Sequence, residues 1–317
     1  MKPLVSVVIA TRDRAALLAQ TLEALSRQTW PHDRLEVLVA DNGSTDGTRA
    51  TIEGAAARPD MPAVVYLSVD EPGKSFAVNA ALARARGAIL ALTDDDVLPE
   101  PAWIERLVAA FDETGADFVA GRILPRWEAS PPAWLSPALY GVLAIPESGN
   151  DRQAIPSPDN ALMPIGANMA VRAEVIARIG GLRTDLGKLE GTLRTGEDHE
   201  FFLRMLGAGF RGTYEPTAVA HHLVARNRLV AGYFQRWMYQ NGRDVASLGA
   251  PDGKQVSRLL GIPRYLWRET AWHASRALRC SIAGDRRAAL AAALRVVWFA
   301  GYVRETVRLR ARPLSGA

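Results

Sequence analysis

Three adjacent carboxylates, Asp94, Asp95 and Asp96, stand one residue beyond the apolar run 87–92. Such a run reads as a buried strand, so the acids are delivered to its C-terminal tip. Neighbouring negative charges repel unless something positive joins them. In an open α/β sheet, ligands gather outside the carboxyl ends of the strands, where a hard divalent cation can be held against phosphate oxygens. A second polar group, Asp41-Asn42-Gly43-Ser44-Thr45-Asp46-Gly47, follows the strand-like run 35–40. Turn chemistry accounts for its glycines and Asx residues. Together with Thr11-Arg12-Asp13 it also offers carboxylates and amide donors suited to a base and ribose, with Asp41 set to accept from a uracil imide N–H.

Other groups leave two readings open. Pro72-Gly73-Lys74-Ser75 ends like a Walker loop, but position 68 is Ser where that loop needs glycine. Lys74 still suits a phosphate at a helix N-terminus. Asp94-x-Asp96 is similar to the DxD of haloacid-dehalogenase phosphatases, although there the motif follows the first strand and here the fourth. Glu197-Asp198-His199-Glu200 opens a helix. Thr195-x-x-Asp198 fits a capping box, and Asp198 equally fits a general base near a metal site. His221-His222 follows a strand-like stretch, 214–220, and reads either as structural or as an imidazole ligand suited to Mn²⁺. Arg226 and Arg228 suit phosphate forks.

The elements that must position these groups repeat as strand, polar loop and helix. Residues 4–10, 35–40, 63–69 and 88–92 read as strands, each followed by a polar loop and a helix. Four near-continuous apolar strands predict a parallel sheet covered on both faces, with the loops converging on one edge. Residues 118–123 continue the pattern. The stretch 127–164 is rich in Pro, Ser, Gly and Trp and predicts a long loop with a short helix. A strand at 166–171 and helices at 174–179 and 197–206 follow, and helices dominate from 229 onward.

Bulk properties narrow the class. The 317 residues are 48% hydrophobic and 23% charged, as in ordinary globular chains. The single cysteine, Cys280, excludes an internal disulfide and a cysteine-rich metal site. The first residues lack the apolar core and cleavage site of a signal peptide. Charge is uneven: residues 222–317 carry 17 Lys and Arg against 5 Asp and Glu, a net of +12, whereas residues 1–221 carry 21 against 29, a net of −8. A basic tail suits a phosphate-bearing ligand or an anionic membrane surface, and no nucleic-acid module is recognisable. In the last helix, Ala289, Ala293, Val296, Ala300, Val303 and Val307 recur at helical spacing, which fits either packing on the protein or an interfacial helix.

The order of these parts resembles the family 2 nucleotide-sugar glycosyltransferases with the GT-A fold. The matching segments are Ser6-Val7-Val8-Ile9-Ala10-Thr11-Arg12-Asp13-Arg14, Val39 to Thr48, Gly73-Lys74 with Asn79, Leu92-Thr93-Asp94-Asp95-Asp96, Gly166-Ala167-Asn168-Met169, Gly180-Gly181-Leu182, Gly196-Glu197-Asp198, and Pro216-x-Ala218-x-x-x-His222. The resemblance spans about residues 4–230. It implies an α/β fold with a Rossmann-like, mostly parallel sheet, flanking helices and a C-terminal helical region. The expected divisions are 1–124 for the nucleotide-sugar half, 125–228 for the acceptor and catalytic half, and 229–317 for the basic helical region. It further implies an inverting, metal-dependent transfer from a nucleoside-diphosphate sugar, with UDP expected, to an acceptor hydroxyl in polysaccharide, glycolipid or glycoconjugate synthesis.

By the same resemblance, Thr11, Arg12, Asp13, Asp41, Gly43, Lys74 and Asn79 bind the nucleotide-sugar, with Asp94 or Asp95 on the ribose. Asp96 and His222 hold Mn²⁺ or Mg²⁺. Asp198 is the base, and Gly166, Asn168, Glu197 and Arg228 lie near acceptor or donor sugar. The expected partners are a nucleotide-sugar, a glycan or lipid-linked acceptor and an anionic membrane surface, in a cytoplasmic protein peripheral to the inner face of the membrane. A non-catalytic nucleotide-sugar binder and a DxD phosphatase are the competing readings.

Overall fold

A computed structural model describes residues 2–155, 162–189, 192–248 and 257–311. The chain divides into two compact units. The first comprises Met1–Arg126, Ala144–Glu190 and Glu197–Leu223, and the second Trp127–Leu143, Gly191–Gly196 and Val224–Ala317.

The first unit opens as the apolar pattern requires: β1 (Val5–Thr11), α1 (Ala15–Ser26), β2 (Leu35–Asp41), α2 (Thr48–Ala56), β3 (Ala63–Ser68), α3 (Lys74–Arg84) and β4 (Ile89–Asp94). A short β5 (Val97–Pro99) follows the acid triplet before α4 (Trp103–Thr114). Then come β6 (Phe118–Trp127), a 3-10 helix at Pro137–Leu143, β7 (Gln153–Ile155), β8 (Asn168–Arg172), α5 (Ala173–Ile179), α6 (Glu197–Gly207) and β9 (Gly212–Val224). Among the described residues these strands form one nine-stranded sheet ordered β3-β2-β1-β4-β8-β6-β9-β5, with β7 also on β9.

Strands β1 to β4 run parallel, and β8 pairs antiparallel to β4 and to β6. Alternation explains why the parallel strands are apolar throughout. Val5, Val7 and Ile9 pack with Leu18, Leu22, Trp103 and Phe111 on one face. Val8, Leu38 and Leu92 pack with Val78, Leu82 and Phe202 on the other. Register puts the polar tips side by side, with Thr11 opposite Asp41 and Ala10 opposite Asp94. The stretch 127–164 contains the expected short helix, and also the end of β6 and all of β7; residues 156–161 lie outside the described residues.

In the second unit, α7 (Ala231–Leu248) is followed by the hairpin β10 (Arg258–Leu259) and β11 (Ile262–Pro263), then by α8 (Arg264–Ile282) and α9 (Arg286–Ala311). Ile262, Leu266, Phe299 and Tyr302 form its core with Trp267 and Trp298. Buried Glu305 of α9 accepts from Arg243 on α7 and from Arg308. The face of α9 that packs is formed by Ala292, Leu294, Phe299, Tyr302 and Glu305 and is not the stripe read from the sequence, in which Ala300 and Val307 are exposed and the other four half-buried. Helices α7 and α9 cross at two glycines. A Cβ at Gly242 would overlap the Trp298 carbonyl oxygen, and one at Gly301 the Tyr239 carbonyl oxygen.

Exposed helical Gly→Ala changes stabilise by up to about 1 kcal/mol. Here overpacking opposes that gain. Gly242→Ala and Gly301→Ala are each expected to destabilise the second unit by up to about 2 kcal/mol net, read from denaturant unfolding followed by tryptophan fluorescence. Stabilisation by either variant would contradict the close crossing.

Candidate functional site

The site lies at the carboxyl ends of the parallel strands in the first unit. Buried Thr11, the last residue of β1, donates its hydroxyl to Asp95 Oδ2 at 2.8 Å. Three residues on, Arg14 Nη1 donates to Asp95 Oδ1 at 2.9 Å and to Asp96 Oδ2 at 2.8 Å. Thr21 of α1 donates to the Asp95 carbonyl. Helix α3 begins at Lys74, whose ammonium lies 2.5 Å from Asp94 Oδ1. Each member of the triplet therefore has a cationic neighbour, Lys74 for Asp94 and Arg14 for the other two.

Lys74 is fastened from both sides. Asn42 Oδ1 accepts from the Gly73 amide at 2.7 Å, and the Lys74 amide donates to the Lys188 carbonyl at 3.1 Å. Gly73 has φ +136°, a left-handed conformation that favours glycine, and a Cβ there would press on Leu189. Ser75 donates to the Leu186 carbonyl, so the segment 186–189 clasps the first turn of α3.

Helix α6 brings the second acidic pair. Asp198 Oδ2 accepts the Gly166 amide at 3.0 Å, and a Cβ at Gly166 would sit 2.8 Å from the Asp198 carboxylate. That glycine is what lets the backbone approach so closely. The capping box does not form, because the Thr195 hydroxyl and amide are bonded to Asp244.

Burial of so many like charges shows in their protonation. Desolvation and then the Asp198 charge push Glu197 up to about 7. Desolvation also raises Asp198, against the pull of Lys74 and the Gly166 amide. Burial lifts Asp95 to about 6 despite Arg14. Asp94 is pushed up by burial yet held below the usual carboxylate range by the Lys74 ammonium. Burial disfavours the Lys74 charge, but Asp94, Asp198 and Glu197 together raise its pKa.

The two histidines separate cleanly. In the β5–β9 pairing His222 lies opposite Val97 and His221 opposite Leu98, so their side chains alternate. His221 meets Glu100. Buried His222 places Nε2 at 3.4 Å from Asp96 Oδ1, while its Nδ1, also buried, has no hydrogen-bond partner among the described residues.

The loops after β1 and β2 are stitched together. Asp13, at φ +51°, donates its amide to Ser44 Oγ and accepts from the Thr45 amide. Asp41 Oδ1 accepts the Ser44 amide at 2.9 Å across a turn with Gly43 at φ +76°, and Tyr66 lies 3.3 Å from Oδ2. Arg12 Nε is 3.7 Å from Asp13.

The structure thus gathers Thr11, Lys74, Asp94, Asp95, Asp96, Gly166, Glu197, Asp198 and His222, with Arg12, Asp13, Asp41 and Gly43 on the adjoining loops. Two expected contacts are used otherwise. Asn79 spends both amide atoms on the Leu182 backbone, at 2.7 and 2.8 Å, and fastens the Gly180-Gly181 turn. Buried Asn168 donates to the Arg122 and Ala218 carbonyls and accepts from Trp103 Nε1, which makes it a strut beneath the sheet. Arg228 belongs to the second unit, on the turn Arg226–Arg228 after β9.

Sequence reasoning passed over Arg14, Asn42 and the 186–189 clasp. Arg14 left a signal. It occupies the N-cap of α1 with no side-chain capping bond, where the helix dipole disfavours a cation. Lys74, at the start of α3, is misplaced in the same sense, and both are compensated by the acid triplet.

Comparison with known proteins agrees with this geometry. The family model described as Glycosyl transferase family 2 matches residues 6–180. The succinoglycan biosynthesis protein ExoM of Rhizobium meliloti is 28% identical over 305 residues, covering 95% of this chain and 92% of its own. Glycosyltransferase AglE of Haloferax volcanii is 28% identical over 244 residues, 74% of this chain and 75% of its own. The mannosyltransferase PcManGT of Pyrobaculum calidifontis, solved with GDP-Man and Mn²⁺, superposes with a TM-score of 0.67 at 23% identity, covering 96% of this chain and 87% of that one. Residues 1–349 of S. aureus TarS, solved with UDP, give 0.55 at 15% identity, covering 97% and 92%. The chain belongs to glycosyltransferase family 2 and has a GT-A-like fold: a mixed, mostly parallel α/β sheet with flanking helices and the C-terminal helices α7 to α9.

The raised Glu197 carboxyl sets a pH dependence. Between about 4.5 and 7 the folded chain keeps a proton that the unfolded chain has released, so this group's contribution to stability falls as pH rises through that window. Glu197→Gln is expected to melt higher than the parent at pH 8 without ligand or metal, with the difference closing by pH 5. A melting difference independent of pH would contradict the assignment of a shared, buried acidic pair.

Proposed function

We propose that this glycosyltransferase carries out a metal-assisted, inverting transfer from a nucleoside-diphosphate sugar to an acceptor hydroxyl. The observation that carries the reading is the convergence of Lys74, the triplet and Asp198 at the ends of the parallel strands. It supplies both halves of the chemistry, a cationic seat for a diphosphate and a separate carboxylate with a raised pKa.

Asp198 is the base. It takes the acceptor proton as that hydroxyl oxygen bonds to the anomeric carbon, and the carbon–oxygen bond to the diphosphate breaks on the opposite face. Burial raises the pKa of this carboxyl, a direction that suits a general base. The Gly166 amide orients it, and that amide and Lys74 favour its charged form against burial. The Lys74 ammonium holds the leaving phosphate by its charge, and Arg14 stands on the neighbouring acids of the same triplet. Asp41 keeps accepting capacity on Oδ2 for an imide N–H, a donor that uracil and guanine both present. UDP is the nucleotide proposed.

The donor set fits a divalent ion. Asp96 Oδ1 and His222 Nε2 are 3.4 Å apart and buried, an oxygen and nitrogen pair suited to Mn²⁺ or Mg²⁺. No group of three or more His, Cys, Asp or Glu close enough to hold an ion occurs among the described residues. Two protein ligands suit an ion whose other positions go to phosphate oxygens and water. When bound, such an ion supplies charge neutralisation for the departing diphosphate.

The similarity to ExoM, a succinoglycan biosynthesis protein, supports an acceptor that is a growing glycan, lipid-linked or free. Family membership weighs against the phosphatase reading, and Asp198 against the non-catalytic binder.

Turnover of a UDP- and GDP-sugar panel, followed by mass spectrometry, tests the proposal. Asp198→Asn is expected to bind nucleotide normally and to lose roughly 10²-fold or more in turnover. Normal turnover by this variant, or release of phosphate from simple monoesters by the parent, would overturn it.

A further inference from the structure

We propose that the outer face of α8 is a docking surface for an anionic phospholipid bilayer. Tyr265, Arg268, Trp272, Arg276 and Arg279 are spaced three, four, four and three residues apart, which aligns them as one stripe along the helix. All five are exposed. Arg276 stacks over the Trp272 ring at 5.2 Å, so the aromatic is held on the surface by a neighbour of the same stripe. Beside it runs a second exposed line, Ala271, Ser275, Leu278 and Ile282, in which Leu278 is 63% and Ile282 80% exposed.

The inner face of α8 is accounted for. Leu266 is buried with Phe299 and Tyr302, and Trp267 packs edge-on against Phe299 with ring centres 4.9 Å apart. The outer face is therefore not left over from an incomplete core. It combines large apolar tips with guanidinium groups, and α8 carries one acid, Glu269, against Arg264, Arg268, Arg276 and Arg279. Amphipathic helices that lie in a headgroup layer pair residues in this way, with aromatics and aliphatics entering the acyl boundary and arginines reaching lipid phosphates.

Charge selects the occupant. A second copy of this chain meeting through the same stripe would set arginine against arginine. An anionic leaflet complements Arg268, Arg276 and Arg279 at once. The surface is a docking face and not a span, since no described helix is long and apolar enough to cross a membrane. The inference is independent of the donor chemistry. It would bring the enzyme to the surface on which a lipid-linked acceptor is presented.

The test is co-sedimentation of the full chain with vesicles of phosphatidylcholine alone and with 30% phosphatidylglycerol added, a composition set by the experiment. The parent is expected to sediment with the anionic vesicles at low salt, to ignore the neutral ones, and to be released at high salt. Each arginine contributes about fivefold in partitioning, so Arg268→Gln, Arg276→Gln and Arg279→Gln together are expected to weaken it on the order of 100-fold. Ile282→Ser and Trp272→Ala are expected to weaken it severalfold. Circular dichroism and nucleotide binding should be unchanged in every variant, because these side chains support no core. Parent protein that ignores anionic vesicles, or a triple variant that sediments like the parent, would overturn the proposal. So would a dimer in light scattering that Trp272→Ala dissolves, which would assign the face to a second copy.

Discussion

Mutual repulsion among carboxylates is the constraint around which the first unit is arranged. Asp94, Asp95, Asp96, Glu197 and Asp198 are drawn together by strand and helix ends, and Lys74 and Arg14 answer them directly. Buried ion pairs gain little over apolar packing and cost much when one partner is lost. A cluster this acidic is thus poor economy for stability alone. It is useful if a further cation and a polyanion arrive together, the ion joining the acids and the diphosphate receiving the cations.

The scaffold supplies what such a cluster needs. Parallel strands buried on both faces level their tips, so Thr11, Asp41 and Asp94 stand in adjacent register positions without side-chain effort. The antiparallel half does the complementary work. The β5–β9 pairing carries His222 to Asp96, and Asn168 at the start of β8 ties Trp103 to the carbonyls of Arg122 and Ala218. Close backbone approach recurs at the candidate site, at Gly73 beside Lys74 and at Gly166 beside Asp198. The second unit is built by a different rule, helix crossing at Gly242 and Gly301, and owes its stability to close packing.

Much of this was legible in the chain. Strands β1 to β4 announce themselves because burial on both faces makes them apolar at every position, and the acids that follow them are then located by topology. Strand β5 escaped, since three residues carry no period and its existence depends on a partner more than 100 residues away. The side-chain roles of Asn79 and Asn168 escaped for a related reason: an amide buried against backbone and one presented to a sugar look alike in sequence. Arg14 could have been found from its misfit at a helix N-terminus. The outer stripe of α8 was hidden because Trp267 and Trp272 carry the same label and face opposite ways, one against Phe299 and one outward.

The proposed coupling of cation and diphosphate binding through the triplet is measured most directly as Mn²⁺ affinity by electron paramagnetic resonance with and without UDP. Coupling between two ligands is reciprocal. UDP is expected to tighten Mn²⁺ binding by roughly tenfold or more, and Asp96→Asn to abolish the enhancement. Equal Mn²⁺ affinity with and without nucleotide would contradict it.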